Sequence, residues 1–168
     1  MNLIQGGFIM KTRIEFLEAV KKLANLKDLR QADTVSRTVI ALTKLIIGEE
    51  LSQKIAEKMT PEFREGWESV SMKYLIMMKR GGFTLNTRRD FLEALKGLAY
   101  LKDMKQADTV ARAVISLTKL VIGEELSREI AQVSPPDLRE GWEAIRTAEL
   151  DAFARDELLF EKGEVPEE

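Results

Sequence analysis

The chain has 168 residues, 45% of them hydrophobic and 32% charged, with a net charge of −2 and a pI near 5.5. That size and balance fit a globular chain that needs neither metal nor disulfide to hold a core, and no apolar run approaches the ~18 residues of a membrane-spanning helix. Cysteine and histidine are both absent, which removes thiol nucleophiles, imidazole bases, disulfides and the usual zinc ligands together.

The opening residues, MNLIQGGFIMKTR, lack the basic start, long apolar middle and small-residue cleavage site of a secretion signal. A cytoplasmic location without membrane insertion is therefore expected. Abundant Lys and Glu without Cys also fit a thermophilic source.

The first element is the stretch TRIEFLEAVKKLANL. Thr12 and Glu15 have capping-box spacing, and Phe16, Leu17, Val20, Leu23 and Ala24 recur on one helical face. A second cap, Asp28 with Gln31, opens a helix through Ala32, Val35, Val39, Leu42 and Ile46, which Gly48 should end. A short third helix follows with Leu51 and Ile55 inward. TPEFREGW then reads as a Thr cap, a proline at the first helical position and a fourth helix bearing Phe63, Trp67, Val70, Tyr74 and Met77, ended by Gly81 and Gly82.

From Thr87 the chain repeats itself. QADTVSRTVIALTKLIIGEEL at Gln31 returns at Gln106 as QADTVARAVISLTKLVIGEEL, and an offset of 75 carries Thr12 onto Thr87, Gly48 onto Gly123 and Trp67 onto Trp142. Roughly two thirds of the positions from Thr12 to Glu68 are identical under that shift, without a gap. The capping pairs return as Thr87 with Asp90 and Asp103 with Gln106, and alternating strand patterns occur nowhere. The expected fold is all-α, with roughly eight helices. Two tandem four-helix units of about 75 residues would share one core with approximate two-fold symmetry. The expected divisions are a first repeat over 1–80, a second over 81–148, and an acidic C-terminal extension over 149–168.

FLEAVKKLANLKDLRQADTVSRTVIALTKLI, continuing to AEKMTPEFREGW, resembles the repeat of the family called domain of unknown function 2267. The resemblance runs from Thr12 to about Trp142 and implies two such helical units in tandem. It brings no established activity, so it assigns no functional residue.

The candidate chemistry is sparse. Glu49 and Glu50, with Glu124 and Glu125, follow a glycine and could offer oxygen to a hard cation, but as first-turn residues they suit the helix dipole. Glu65 with Glu68, and Glu140 with Glu143, have di-metal spacing without its histidine. Asp33 with Arg37, and Asp108 with Arg112, are one helical turn apart. They are either surface ion pairs or charges facing across the interface between copies. Trp67 and Trp142 have core spacing. Gly66 and Gly141, inside helices, imply a bend or a close backbone. No catalytic, cofactor-binding or metal-binding residue emerges.

The junction between repeats stands out. From Ser69 to Arg89 there is no acidic residue, while Lys73, Lys79, Arg80, Arg88 and Arg89 are basic and form the candidate binding surface. The apolar residues among them fit the core period. The expected function is a non-catalytic helical interaction or scaffold module that binds itself, as a homodimer, or another protein. The alternative is a nucleic-acid binder using the junction, against which the acidic pI counts.

Overall fold

The computed structural model describes residues 10–147 and Leu150. Eight α-helices and no strand are found among the described residues: α1 (Arg13–Leu23), α2 (Leu29–Ile47), α3 (Glu49–Lys58), α4 (Pro61–Glu68), α5 (Lys73–Arg80), α6 (Arg88–Leu98), α7 (Met104–Val133) and α8 (Pro136–Ala144). None of them is long and apolar enough to cross a membrane. The expected extension over 149–168 lies outside the described residues, apart from Leu150.

The local signals act as the sequence implies. Thr12 Oγ1 accepts from the Glu15 N–H at 3.1 Å while the Glu15 carboxylate reaches back to the Thr12 N–H, and Thr87 with Asp90 repeats the box. Asp28 and Asp103 cap α2 and α7 by accepting from Gln31 N and Gln106 N, each at 2.8 Å. The glutamine side chains reach one residue further back, to Lys27 N and Lys102 N. Gly48 ends α2 at φ 87°, ψ 167°, and Gly123 breaks α7 into two arms at φ 88°, ψ 168°. Only glycine holds such a backbone without steric cost.

The fourth helix departs from expectation. Instead of running from Pro61 until Gly81 and Gly82 end it, it stops at Glu68, and α5 starts anew at Lys73. Trp67 O accepts from the Lys44 ammonium at 2.9 Å as well as from Val70 N–H at 3.4 Å, and Val70 O lies 3.5 Å from the same ammonium. The Ser-Val-Ser run there offers little intrinsic resistance to a break. The break re-aims the side chains beyond it: Leu75 is buried, but Met77, expected inward, is 67% exposed and Ile76 41%. Thr60 occupies the cap position of α4 without a side-chain cap bond, and Pro61 starts the helix.

A single hydrophobic cluster joins the two halves of the chain. Val20, Val35, Leu42 and Ile55 from the first, and Leu95, Val110, Val114 and Leu117 from the second, have no exposed surface. The helices interleave: α1 packs on α2 and α7, α6 on α7 and α2, and α2 and α3 both on α7. A surface ion pair, Lys54 Nζ to Glu129 at 2.9 Å, ties α3 to the second arm of α7.

The ends of α1 and α6 share one geometry. Leu26 N bonds back to Lys21 O at 2.8 Å, and Leu101 N to Lys96 O at 2.9 Å, across a left-handed residue: Asn25 at φ 55° and Tyr100 at φ 58°. Asparagine tolerates that conformation; tyrosine adopts it at a cost, and Tyr100 is 89% exposed, so packing returns little.

Two outcomes are expected. Tyr100→Asn should raise stability by about 0.5–1 kcal/mol, read as a higher denaturant midpoint at unchanged slope. Residues 1–80 and 81–168, expressed separately, should each fail to give a cooperatively melting monomer, since each half leaves its interface wet; light scattering combined with thermal melting checks this.

Candidate functional site

The segment TPEFREGW, with its second occurrence PPDLREGW, commits one carboxylate and one arginine each to helix ends. Arg64 caps the end of α3, donating to Ala56 O at 2.8 Å and Glu57 O at 3.0 Å, and Arg139 does the same for Ala131 O at 2.8 Å. Glu62 accepts from Arg13 N at 3.1 Å and Asp137 from Arg88 N at 2.7 Å, so each carboxylate sits at the start of α1 or α6, where the helix dipole favours it. The indoles are buried. Trp67 Nε1–H donates to Ser52 O and Oγ at 3.1 Å each, and Trp142 Nε1–H to Ser127 O at 3.1 Å and Oγ at 3.0 Å.

Gly66 and Gly141 mark neither a bend nor a close backbone. An arginine side chain lies over each. A Cβ at Gly66 would stand 3.2 Å from Arg13 Cδ, and one at Gly141 2.9 Å from Arg88 Cγ and Cδ. Those arginines reach Asp33 and Asp108 at 3.7 Å, and the same carboxylates bind Arg37 and Arg112 at 3.0 Å. The Arg–Asp–Arg clusters therefore join α1 to α2 and α6 to α7, rather than facing across the two halves. Beneath each is a cleft of about 60 Å³. Thr118 and Val121 of α7 line the first, and Thr43 and Ile46 of α2 the second. Ser36, whose buried Oγ has no partner, lines the first; Ala111 stands in its place in the second.

Sequence reasoning overlooked Lys44 and Lys119. Lys119 Nζ donates to Trp142 O at 2.5 Å and Ile145 O at 2.6 Å and lies 5.0 Å from the Trp142 ring centre; Lys44 lies 5.6 Å from that of Trp67. Each ammonium closes the frayed end of a short helix, α4 or α8. Burial lowers both pKa values, that of Lys119 to about 8, with Glu143 opposing; for Lys44, Glu68 opposes. The only local signal is a lysine in an otherwise apolar run, which reads as an ordinary surface residue.

The carboxylate candidates remain apart. Glu49 and Glu50 occupy the first turn of α3 and are exposed, and Glu65 and Glu68 are exposed on α4. Among the described residues, no group of three or more His, Cys, Asp or Glu side chains is placed to hold a metal ion.

The basic junction divides in two. Arg88 is held by Asp108, and Arg89 by Glu93 at 3.0 Å. Lys73, Lys79 and Arg80 on α5 are exposed and form no ion pair among the described residues. With Ile76 and Met77 they give α5 an outer stripe, Lys73–Ile76–Met77–Arg80, at the i, i+3, i+4, i+7 spacing of one helical face. Past its C-terminal end lies a groove of about 380 Å³ lined by Lys79, Phe83, Leu85 and Val133.

The two lysines predict an alkaline signature. Below pH 8 Lys119 is protonated in both folded and unfolded chains, and the fold carries the cost of burying it. Between about pH 8 and 10.5 the unfolded chain binds more protons, so stability rises with pH, and the lowered Lys44 adds in the same sense. Denaturant midpoints should increase from pH 8 to pH 10, and Lys119→Met should reduce that increase.

No curated protein and no solved structure matches the chain. A family model does, over residues 13–141, which takes in both occurrences of the Arg-Glu-Gly run and the helices between them. The chain belongs to the uncharacterized conserved protein family DUF2267.

Proposed function

We propose that the protein is a non-catalytic helical interaction module that self-associates through the outer face of α5. In this reading residues 12–68 and 87–143 are two copies of one four-helix unit, sharing a core about an approximate two-fold axis. The reciprocal lining of the two clefts supports it, since each half supplies to the other the equivalent threonine and aliphatic residue. The position equivalent to Leu75 of α5 is Leu150, and both are buried.

The observation that carries the function is the α5 stripe. A helix whose inner face is anchored by Leu75 presents Met77 at 67% and Ile76 at 41% exposure, between cations that form no ion pair among the described residues. An apolar centre with a charged rim is the anatomy of a protein interface. A nucleic-acid surface fits less well, because Arg88 and Arg89 are already committed to carboxylates and the centre of the stripe is apolar.

Met77→Glu in the full chain is expected to weaken self-association by about tenfold or more, since burying one such side chain is worth ~1.5–3 kcal/mol. The melting temperature of the separated chain should be unchanged. Light scattering over a concentration series checks this; an unaltered chain that is monomeric throughout the micromolar range would refute the reading.

A further inference from the structure

The α5 stripe has a chemistry that restricts its partner. Lys73, Lys79 and Arg80 carry three positive charges, and no acidic residue lies between Ser69 and Arg89. Two α5 helices laid face to face would bring like charges together, so self-association through this face needs an acidic, apolar counterpart. The chain contains one. Residues 149–168 hold eight acidic and two basic residues, a net charge of −6, which leaves +4 on residues 1–148 of a chain whose total is −2. Within that segment DELLFE, residues 156–161, sets Leu158, Leu159 and Phe160 between Asp156 and Glu157 on one side and Glu161 on the other.

Resting on the reading of α5 as the interaction face, we propose that residues 156–161 of a second copy dock on the stripe, so that two chains exchange C-terminal segments in a reciprocal dimer. Leu158, Leu159 and Phe160 cover Ile76 and Met77, while the flanking carboxylates meet Lys73 and Arg80. The spacing allows it. Lys73 and Arg80 lie about 10 Å apart along the helix axis, and the carboxylates bracketing the apolar trio span between ~6 Å if coiled and ~17 Å if extended. The groove past the end of α5, with Lys79 at its edge and Phe83, Leu85 and Val133 in its walls, receives what the stripe leaves over. Each chain offers one face and one segment, so the exchange closes on itself as a two-fold dimer and does not propagate into a fibre.

Two full-length variants test the exchange. Lys73→Glu with Arg80→Glu makes the face acidic and leaves the segment acidic; Asp156→Lys with Glu161→Lys makes the segment basic and leaves the face basic. Each alone is expected to be monomeric, its dimer weakened by about tenfold or more. Mixed in equal amounts they should recover the mass of a dimer, because each then supplies the surface the other lacks. All four substitutions lie at exposed α5 positions or beyond Leu150, and unchanged melting of each variant confirms that the fold is kept. Leu159→Asp should disperse the dimer as well. A segment variant that stays dimeric, or a mixture that stays monomeric, overturns the exchange. If Met77→Glu disperses the dimer while the segment variants do not, the α5 interface stands and its occupant is another surface. Salt-dependent retention of the unaltered chain on nucleic acid, lost in the Lys73→Glu/Arg80→Glu variant with no change in mass, would overturn the proposal in favour of phosphate binding.

Discussion

The facing sides of α2 and the first arm of α7 carry several of the fully buried residues, and the two helices pack on one another. Val35, Val39 and Leu42 on one, with Val110, Val114 and Leu117 on the other, are removed from water in a core to which α1, α3 and α6 also contribute. Everything outside this contact is arranged around it. Helices α1, α3 and α6 each pack on both α2 and α7, while α4 packs on α1 and α3 and α8 on α6 and α7, and backbone groups left without partners at their ends would be costly. The polar chemistry of the chain serves that need: arginines close α3 and the second arm of α7, lysines close α4 and α8, and carboxylates open α1 and α6. The indoles are held from the serine carbonyls below them. Much of what looks like a motif is a set of parts that end short helices, part-buried at the lysines and exposed at the carboxylates.

Legibility in the sequence follows the range of the interaction. Caps at Thr12, Asp28, Thr87 and Asp103 and the stops at Gly48 and Gly123 depend on neighbours three or four residues away, and the chain states them openly. So does the helical period of Phe16, Val20, Val35 and Val39. The break between α4 and α5 was hidden because the ammonium bonded to its carbonyls, Lys44, comes from more than twenty residues upstream. The reason for Gly66 was hidden in the same way: Arg13 lies over it from a different helix, and no local pattern records that approach. Tyr100 could have been found, since Asn25 occupies the equivalent place and asparagine after a helix is a known signal for a left-handed residue. The five basic junction residues look alike in the sequence, and only the folded chain separates the two bound by carboxylates from the three on α5.

That separation bears on how function is sought in such a chain. Trp67, Trp142, Asp33 and Asp108 are the residues a search for chemistry would choose first, and the fold uses all four for its own construction. Among the described residues, α5 is a short helix with an apolar centre and charged ends. It exists as a separate helix because α4 was interrupted. Had the fourth helix continued as its apolar spacing suggests, Met77 would face inward and the stripe would not form. The break bonded by Lys44 thus links hydrogen bonding inside the molecule to the shape of its outer surface.

Lys54 and Glu129 are separated by 75 residues, the offset of the repeat, so the ion pair between α3 and α7 joins two equivalent positions. In a symmetrical pair, a residue that touches its own equivalent sits on the axis, and identical subunits must place the same side chain there twice. Lysine would then meet lysine, or glutamate meet glutamate. A contact within one chain escapes this restriction, because the two positions can carry different side chains. The contact between Lys54 and Glu129 is one that two separate copies of either half could never make. At these two positions the charges are opposite where identical subunits would have to place like charges.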